Sequence, residues 1–183
     1  ITQKNYQSLM DHIGSGREWD LHGKVGLNIL PPYLTRENMG VYAGLIDAIN
    51  SNRNFLRLST QEYIVVTNSH TIYNADFSEA IDQHIASGAD ITLLYSKKLT
   101  STDVDNASYL TVAEDKTITG MEVGPMVPTT ESAYLKVFIT KRELLRQLVE
   151  QAHANGGHFF NRDVIQKSIL NGYSAAEVSV TGF

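Results

Sequence analysis

The feature that most constrains the fold is an alternation of periods. Tyr63 to Thr67 is a short apolar run rich in β-branched residues, with the length of a buried strand. A helical stripe follows, with Phe77, Ala80, Ile81, His84 and Ile85 on one face, Asp76 placed to cap it and Gly88 placed to stop it. A second strand pattern runs from Asp90 to Tyr95. Strand, helix and strand in this order build an α/β sheet with helices packed on its faces. The flanking segments extend the pattern. Tyr6 to Ile13 reads as a helix closed by Gly14 and Gly16, and Lys24 to Leu30 as a strand ended by Pro31-Pro32. Gly40 to Leu58 reads as one helix with Leu45, Ile46, Ile49 and Leu56 on a stripe. Downstream, Tyr109–Ala113 and Thr117–Val123 form a hairpin across Glu114-Asp115-Lys116, and Tyr134 to Thr140 is another strand. Helices are expected over Lys141–Ala154 and about Asn161–Leu170, with a last strand at Glu177–Val180 and a polar loop from Lys97 to Ala107.

A chain of 183 residues suits one domain and can bury a sizeable core. Its hydrophobic share of 42% and charged share of 19% are ordinary for a globular protein. No run of about 18 apolar residues is present, so no transmembrane helix and no membrane partner are expected. The net charge of -5 argues against a nucleic-acid binder held by bulk charge, yet leaves a local phosphate site open. Cysteine is absent, which excludes disulfides and Cys-ligated zinc and fits a cytoplasmic location. The first residue is Ile, without an initiator Met or a signal-peptide pattern, and Ile1-Thr2-Gln3 reads like a strand end. An N-terminal part is therefore expected to be missing.

In an open α/β sheet, ligands bind beyond the carboxyl ends of the strands. After the Tyr63 run comes Asn68-Ser69-His70-Thr71-Ile72-Tyr73, which holds no carboxylate. Mg²⁺ prefers hard oxygen ligands, usually one or two carboxylates plus phosphate oxygens, so this run is poor ground for it. His153 and His158 are separated by Asn155-Gly156-Gly157, which breaks any shared helical face, and no His-Glu-x-x-His pattern occurs. His84 sits on an inner helix face and reads as a packing residue. No Gly-x-Ser-x-Gly elbow, Walker A motif or Gly-x-Gly-x-x-Gly turn is present. Ser96-Lys97-Lys98 ends a strand in a basic pair, open to two readings: a solvated loop, or a phosphate or effector contact.

The order of several segments carries a resemblance. Tyr6-Gln7-Ser8-Leu9-Met10-Asp11-His12-Ile13, Gly44-Leu45-Ile46-Asp47-Ala48, Glu62-Tyr63-Ile64-Val65-Val66 running into Ile72-Tyr73-Asn74-Ala75-Asp76-Phe77, and Ser132-Ala133-Tyr134-Leu135-Lys136-Val137-Phe138 follow one another at family spacing. Together they resemble the catalytic domain of bacterial glucose-1-phosphate adenylyltransferase (ADP-glucose pyrophosphorylase). More narrowly, they resemble its non-catalytic GlgD-type subunit in Gram-positive bacteria. The resemblance implies a Rossmann-like nucleotidyltransferase fold, a three-layer sandwich around a mixed sheet. It also implies an N-terminal Gly-rich loop and a C-terminal left-handed β-helix, neither of which this sequence contains. Residues 1–183 are thus expected to be a partial nucleotidyltransferase-like domain with an apolar sheet edge exposed.

The family reaction joins ATP and glucose 1-phosphate into ADP-glucose and pyrophosphate for glycogen synthesis, with Mg²⁺ in catalytic members. Those members carry Ala-Gly-Asp-His-Ile-Tyr after the central strand; here the run places Ser69, then His70 in place of the metal-binding Asp, and keeps Tyr73. Their sugar-phosphate lysine, in Val-Glu-Lys-Pro, corresponds to Gly124 in Glu122-Val123-Gly124-Pro125. Their second metal-binding Asp, in His-Asp-Phe-Gly, corresponds to Phe159. The nucleotide segment keeps Gly44, Asp47 and Ala48 but has Leu45 for Thr. The sugar loop keeps Ser132, with Tyr134 replacing a Gly and expected to crowd a hexose. Gly44, Asp47, Ser69, Tyr73 and Ser132 are therefore the expected pocket equivalents, and His70, Gly124 and Phe159 the degenerate catalytic positions. Were carboxylates to converge elsewhere, Asp76, Asp90 and Asp163 are available, each with a capping or surface role.

Losing one charge-stabilising group typically lowers a rate by roughly 10²–10³, and phosphoryl-type transfer rests on positioning and charge stabilisation. The expectation is a regulatory subunit inactive alone, without its own metal or cofactor, partnered by a catalytic homologue and responsive to a sugar-phosphate or nucleotide effector. The alternatives are a divergent active sugar-phosphate nucleotidyltransferase, or a module that senses a nucleotide or sugar phosphate.

Overall fold

The computed structural model describes residues 1–2, 6–21, 26–32, 42–69, 77–97, 107–115, 117–170 and 175–179, the last segment and 169–170 as backbone. Helix α1 spans Tyr6–Ile13, and Gly14 (φ 55°) and Gly16 (φ 74°) turn the chain where an L side chain would be strained. A single 3₁₀ turn follows at Arg17–Trp19. The strand expected from Lys24 is not formed over residues 26–30, and Lys24 itself lies outside the described residues. Thr2 N–H donates to the Leu30 carbonyl at 3.0 Å, and among the described residues no ladder extends that bond.

The long helix expected from Gly40 is two short ones, α2 (Leu45–Ser51) and α3 (Arg53–Leu58). Gly40 lies outside the described residues, and the extended backbone of Gly44 sets the start of α2. Asn52 makes the break: it adopts φ -103°, ψ 18°, and its amide donates to the Ala48 carbonyl at 2.8 Å. An Asn side chain that competes for backbone groups in this way interrupts a helix. Ile46 and Ile49 are buried, whereas Leu45 is exposed at the entry to the first turn.

The sheet contains β1 (Tyr63–Val66), β2 (Ile91–Ser96), β3 (Ser108–Val112), β4 (Ile118–Val123), β5 (Ala133–Lys141) and β6 (Ala175–Ser179). Its order is β4-β3-β5-β2-β6, with β1 also paired to β5. The β2–β6 pair is parallel, and β5 runs antiparallel to β1, β2 and β3, so the sheet is mixed. β1 is half-buried along its length rather than buried, because among the described residues it is paired on one side only. The expected polar connection after Lys97 falls on 98–106, outside the described residues, as does Val180 at the end of the last expected strand.

Alternation along β2 and β5 divides the core into two layers. Ile91, Leu93 and Tyr95 join Tyr134 and Phe138 on one face, under α5 (Arg142–Ala154) and α2. Leu94, Leu135, Val137 and Ile139 face α4 (Phe77–Ser87), which contributes Ala80. These layers form a three-layer α/β sandwich around a mixed sheet, the Rossmann-like arrangement that the resemblance implies. Each fully buried aliphatic or Phe side chain stabilises by about 1.5–3 kcal/mol relative to exposure. α4 turns Ala80 and His84 inward, but Ile85, expected on that face, is 50% exposed. The helix ends at Gly88, φ 64°. The Asp76 cap lies outside the described residues.

α5 docks through Leu145, Leu148, Val149 and Ala152, while Arg146 pairs with Glu143 and Glu150 on the outer face. At its start, Arg142 reaches back: Nη1 donates to the Leu56 carbonyl (2.9 Å) and Nε to that of Gln61 (3.0 Å). This satisfies a carbonyl at the end of α3 with a cation, the favourable sign there. After α5 the chain makes a loop, a π-helical turn at Asn161–Ile165 and helix α6 (Gln166–Leu170). Among the described residues no helix is long and apolar enough to cross a membrane.

Candidate functional site

The loop 157–160 and the N-terminus of α2 meet closely, although 111 positions separate Asp47 from His158. Gly44 makes the approach feasible: a Cβ there would stand 2.0 Å from the His158 carbonyl oxygen. That carbonyl accepts a hydrogen bond from Ile46 N–H at 3.2 Å. Asp47 closes the contact from the other side. Its Oδ2 accepts from the Ala43 and Gly44 amides at 3.0 and 3.2 Å, and His158 Nδ1–H donates to the same carboxylate at 2.9 Å. His153 Nε2 stands 3.8 Å from Asp47 Oδ1, so the two histidines that linear spacing separated converge on one acid.

Asp163 organises the rest of the loop. Its Oδ2 accepts from the His158 and Phe159 amides, each at 3.0 Å, and Arg162 Nε donates to Oδ1 at 2.9 Å. Bonding from the Arg162 guanidinium, reinforced by the two amides against the desolvation of a largely buried carboxylate, holds Asp163 well below the usual acid range. The same guanidinium lies 4.8 Å from the centroid of the Phe159 ring. Phe159 is 49% exposed, whereas the adjacent Phe160 turns inward and stacks on Phe138 at 4.6 Å. Asn161 Nδ2 donates to Ser108 Oγ at 3.4 Å, joining this loop to β3, and Ser108 is opposite both Val123 and Tyr134.

Gly124 follows β4 at φ 60°, a left-handed position that favours glycine, and its amide donates to the Ala107 carbonyl at 3.1 Å. Beyond it the loop folds back because Glu122 accepts from Thr129 at both the amide (3.0 Å) and Oγ1 (2.5 Å). Ser69 is exposed just past β1, and neighbouring Asn68 Nδ2 donates to the Leu135 carbonyl at 3.2 Å. His70 and Tyr73 lie outside the described residues. The structure thus joins Gly44 and Asp47 directly to the Phe159 loop, and links that loop through Ser108 to β4, the strand that precedes Gly124. Ser132 is separate: it is buried, and its carbonyl accepts from Leu110 N–H at 2.8 Å on the far side of the Ala133 pair. Tyr134 is 3% exposed and belongs to the core, filling volume that a glycine would leave open.

Sequence comparison fits this arrangement. The Nucleotidyl transferase family matches residues 1–183. The chain belongs to that family. Similar proteins include a glucose-1-phosphate adenylyltransferase of Halalkalibacterium halodurans, 31% identical over 174 residues, covering 92% of this chain and 45% of that protein. Those of Thermomicrobium roseum (32%, covering 90% and 39%) and Bacillus subtilis (29%, covering 90% and 44%) are similar to a comparable degree. The chain therefore spans less than half the length of these relatives.

The family implies Mg²⁺, and the described residues do not fit it. Asp163 is engaged by Arg162 and two amides, and Asp47 by His158 and two amides. Among the described residues no group of three or more His, Cys, Asp or Glu side chains could hold a metal ion, the Asp47–His153–His158 contact included. At position 159 an aromatic ring sits beside a fixed cation, which opposes a second cation there.

Proposed function

We propose that this nucleotidyltransferase domain belongs to a regulatory, non-catalytic subunit of the glucose-1-phosphate adenylyltransferase type. It would assist a catalytic homologue that makes ADP-glucose from ATP and glucose 1-phosphate in glycogen synthesis. The observation that carries this reading is Phe159 paired with the Arg162 guanidinium on a loop whose fold-forming contacts are complete. The loop keeps its geometric job of docking on Gly44 and Asp47. The two carboxylates at this contact, Asp47 and Asp163, act as internal fasteners. A rigid scaffold without a charge-neutralising centre can still act by biasing a partner between two states through a shared interface.

Full-length protein mixed with a catalytic homologue tests the reading. ADP-glucose synthesis in the mixture should differ in kcat, in KM or in effector response from that of the homologue alone. Identical kinetics at every mixing ratio would sink the proposal.

A further inference from the structure

Two exposed patches serve neither the core nor the site. One is the outer face of α3. Leu56 turns inward against the core, while Phe55 and Leu58 are exposed, Leu58 by 75%. Arg53 and Arg57 are exposed beside them, four positions apart, a like-charge spacing that by itself destabilises a helix. Among the described residues neither arginine has a carboxylate partner. The helix is nevertheless fixed, by Arg142 at the Leu56 carbonyl and by Ser59 Oγ, which donates to the Phe55 carbonyl at 2.8 Å. The other patch is the tip of the loop joining β4 to β5. Met126 is fully exposed and Val127 is 80% exposed, close to the exposed Val123. Hydrogen bonds from Thr129 to Glu122 and from Gly124 N–H to the Ala107 carbonyl shape this loop without them. Its charges are Glu122 and the exposed Glu131, and no Lys or Arg occurs from Thr117 to Leu135. Apolar side chains held out on preformed backbone mark contact surfaces. Here one surface is rimmed by cations and the other by carboxylates.

The sheet register places these patches at opposite ends of β5. β1 follows α3, and its first residue, Tyr63, is opposite Lys141 at the end of β5. The loop follows Val123, which is opposite Ser108, and Ser108 is opposite Tyr134 near the start of β5. The nine residues of β5 extend about 25 Å at about 3.3 Å each, so one chain cannot bring its own patches together. Two chains can. A two-fold axis that sets their β5 strands in opposite directions puts α3 of each chain against the loop of the other. Both contacts then form at once and the assembly closes. Opposite charges around matching apolar patches fix the register of such a contact.

We propose that α3 of one chain docks on the β4–β5 loop of a second copy of this chain, with Phe55 and Leu58 against Met126 and Val127, and Arg57 beside Glu131. This goes beyond the regulatory reading, because pairing of like chains needs no catalytic homologue. Residues 1–183 contain no cysteine, so introduced thiols report the contact. Full-length Leu58→Cys and Met126→Cys variants, mixed under mild oxidation, should form a disulfide between positions 58 and 126, located by mass spectrometry. Neither variant alone should join its own position to itself. Charge reversal is the second arm, read by sedimentation of the full-length protein. Arg57→Glu and Glu131→Lys should each weaken self-association at least about 10-fold, and mixing the two variants should restore it, since the mixed pair regains both attractive contacts. Absence of the 58–126 bridge would overturn the proposal, as would self-association untouched by both reversals. Loss in each variant without recovery in the mixture would overturn it as well. Kinetics with a catalytic homologue are measured separately, so either idea can fail while the other stands.

Discussion

The β2–β5 core and the loop 157–163 are held by different physics. The core depends on apolar area: Leu93, Val137, Phe138 and Ile139 are each at most 2% exposed, and many apolar side chains of similar volume would serve. The loop depends on particular atoms, namely one carbonyl against Gly44, two amides on Asp163 and one imidazole on Asp47. The comparison teaches where substitution is free. Phe159 could be replaced at little cost to the fold because its amide, rather than its half-exposed ring, fastens the loop through Asp163. Phe160 could not, since its ring is stacked in the core.

The largest expected effect tests the core. Phe138→Ala should cost about 3–5 kcal/mol, seen as a lower midpoint in urea with little dependence on pH. Gly44→Ala should cost about 1–3 kcal/mol through the collision with the His158 carbonyl. It should also raise amide exchange in residues 157–160 more than in β2. If exchange rises equally in both, the loop is no separate unit and the comparison breaks.

Two pH tests sharpen it. The folded-state pKa of His84 is lowered by burial and then by the Lys141 charge, against an opposing effect of Asp90. Its ring is hydrogen-bonded to Thr92 Oγ1 at 2.7 Å and meets the edge of Tyr63. Folding therefore favours neutral His84: its contribution is complete above pH 6.5 and declines as pH falls through that value. His84→Asn should flatten the stability profile in that window. Asp163 is a depressed carboxylate, so its contribution is present above pH 3.8 and declines as pH falls below it. Asp163→Asn should remove the acid-side loss and loosen residues 157–160, leaving β2 exchange unchanged. The smallest effect is a gain: Lys136 lies within β5 at φ 58°, so Lys136→Gly should raise stability by about 1 kcal/mol in thermal melts.

Legibility followed the same division. β2, the β3–β4 hairpin, β5 and α5 were readable because their apolar periods match their burial, and so was α4 apart from Ile85. The break at Asn52 was not, since one polar side chain within an apolar stripe outweighed the period. The strand read at Lys24–Leu30 failed over its described part because an apolar run needs a partner strand to become one. At the site, family motifs marked Gly44, Asp47 and Phe159. The meeting of His153 and His158 on Asp47 was hidden, because the Gly156 turn reverses what linear spacing suggests. Lys136 carried no signal, since a left-handed lysine inside a strand has no sequence signature.

On the proposed reading, this domain does not assemble the divalent centre on which nucleotidyl transfer relies. The direct measurement is ADP-glucose formation from ATP and glucose 1-phosphate, with Mg²⁺, by the purified full-length protein alone. The account predicts no turnover above a heat-inactivated control; Mg²⁺-dependent turnover that persists after catalytic homologues are removed would contradict it.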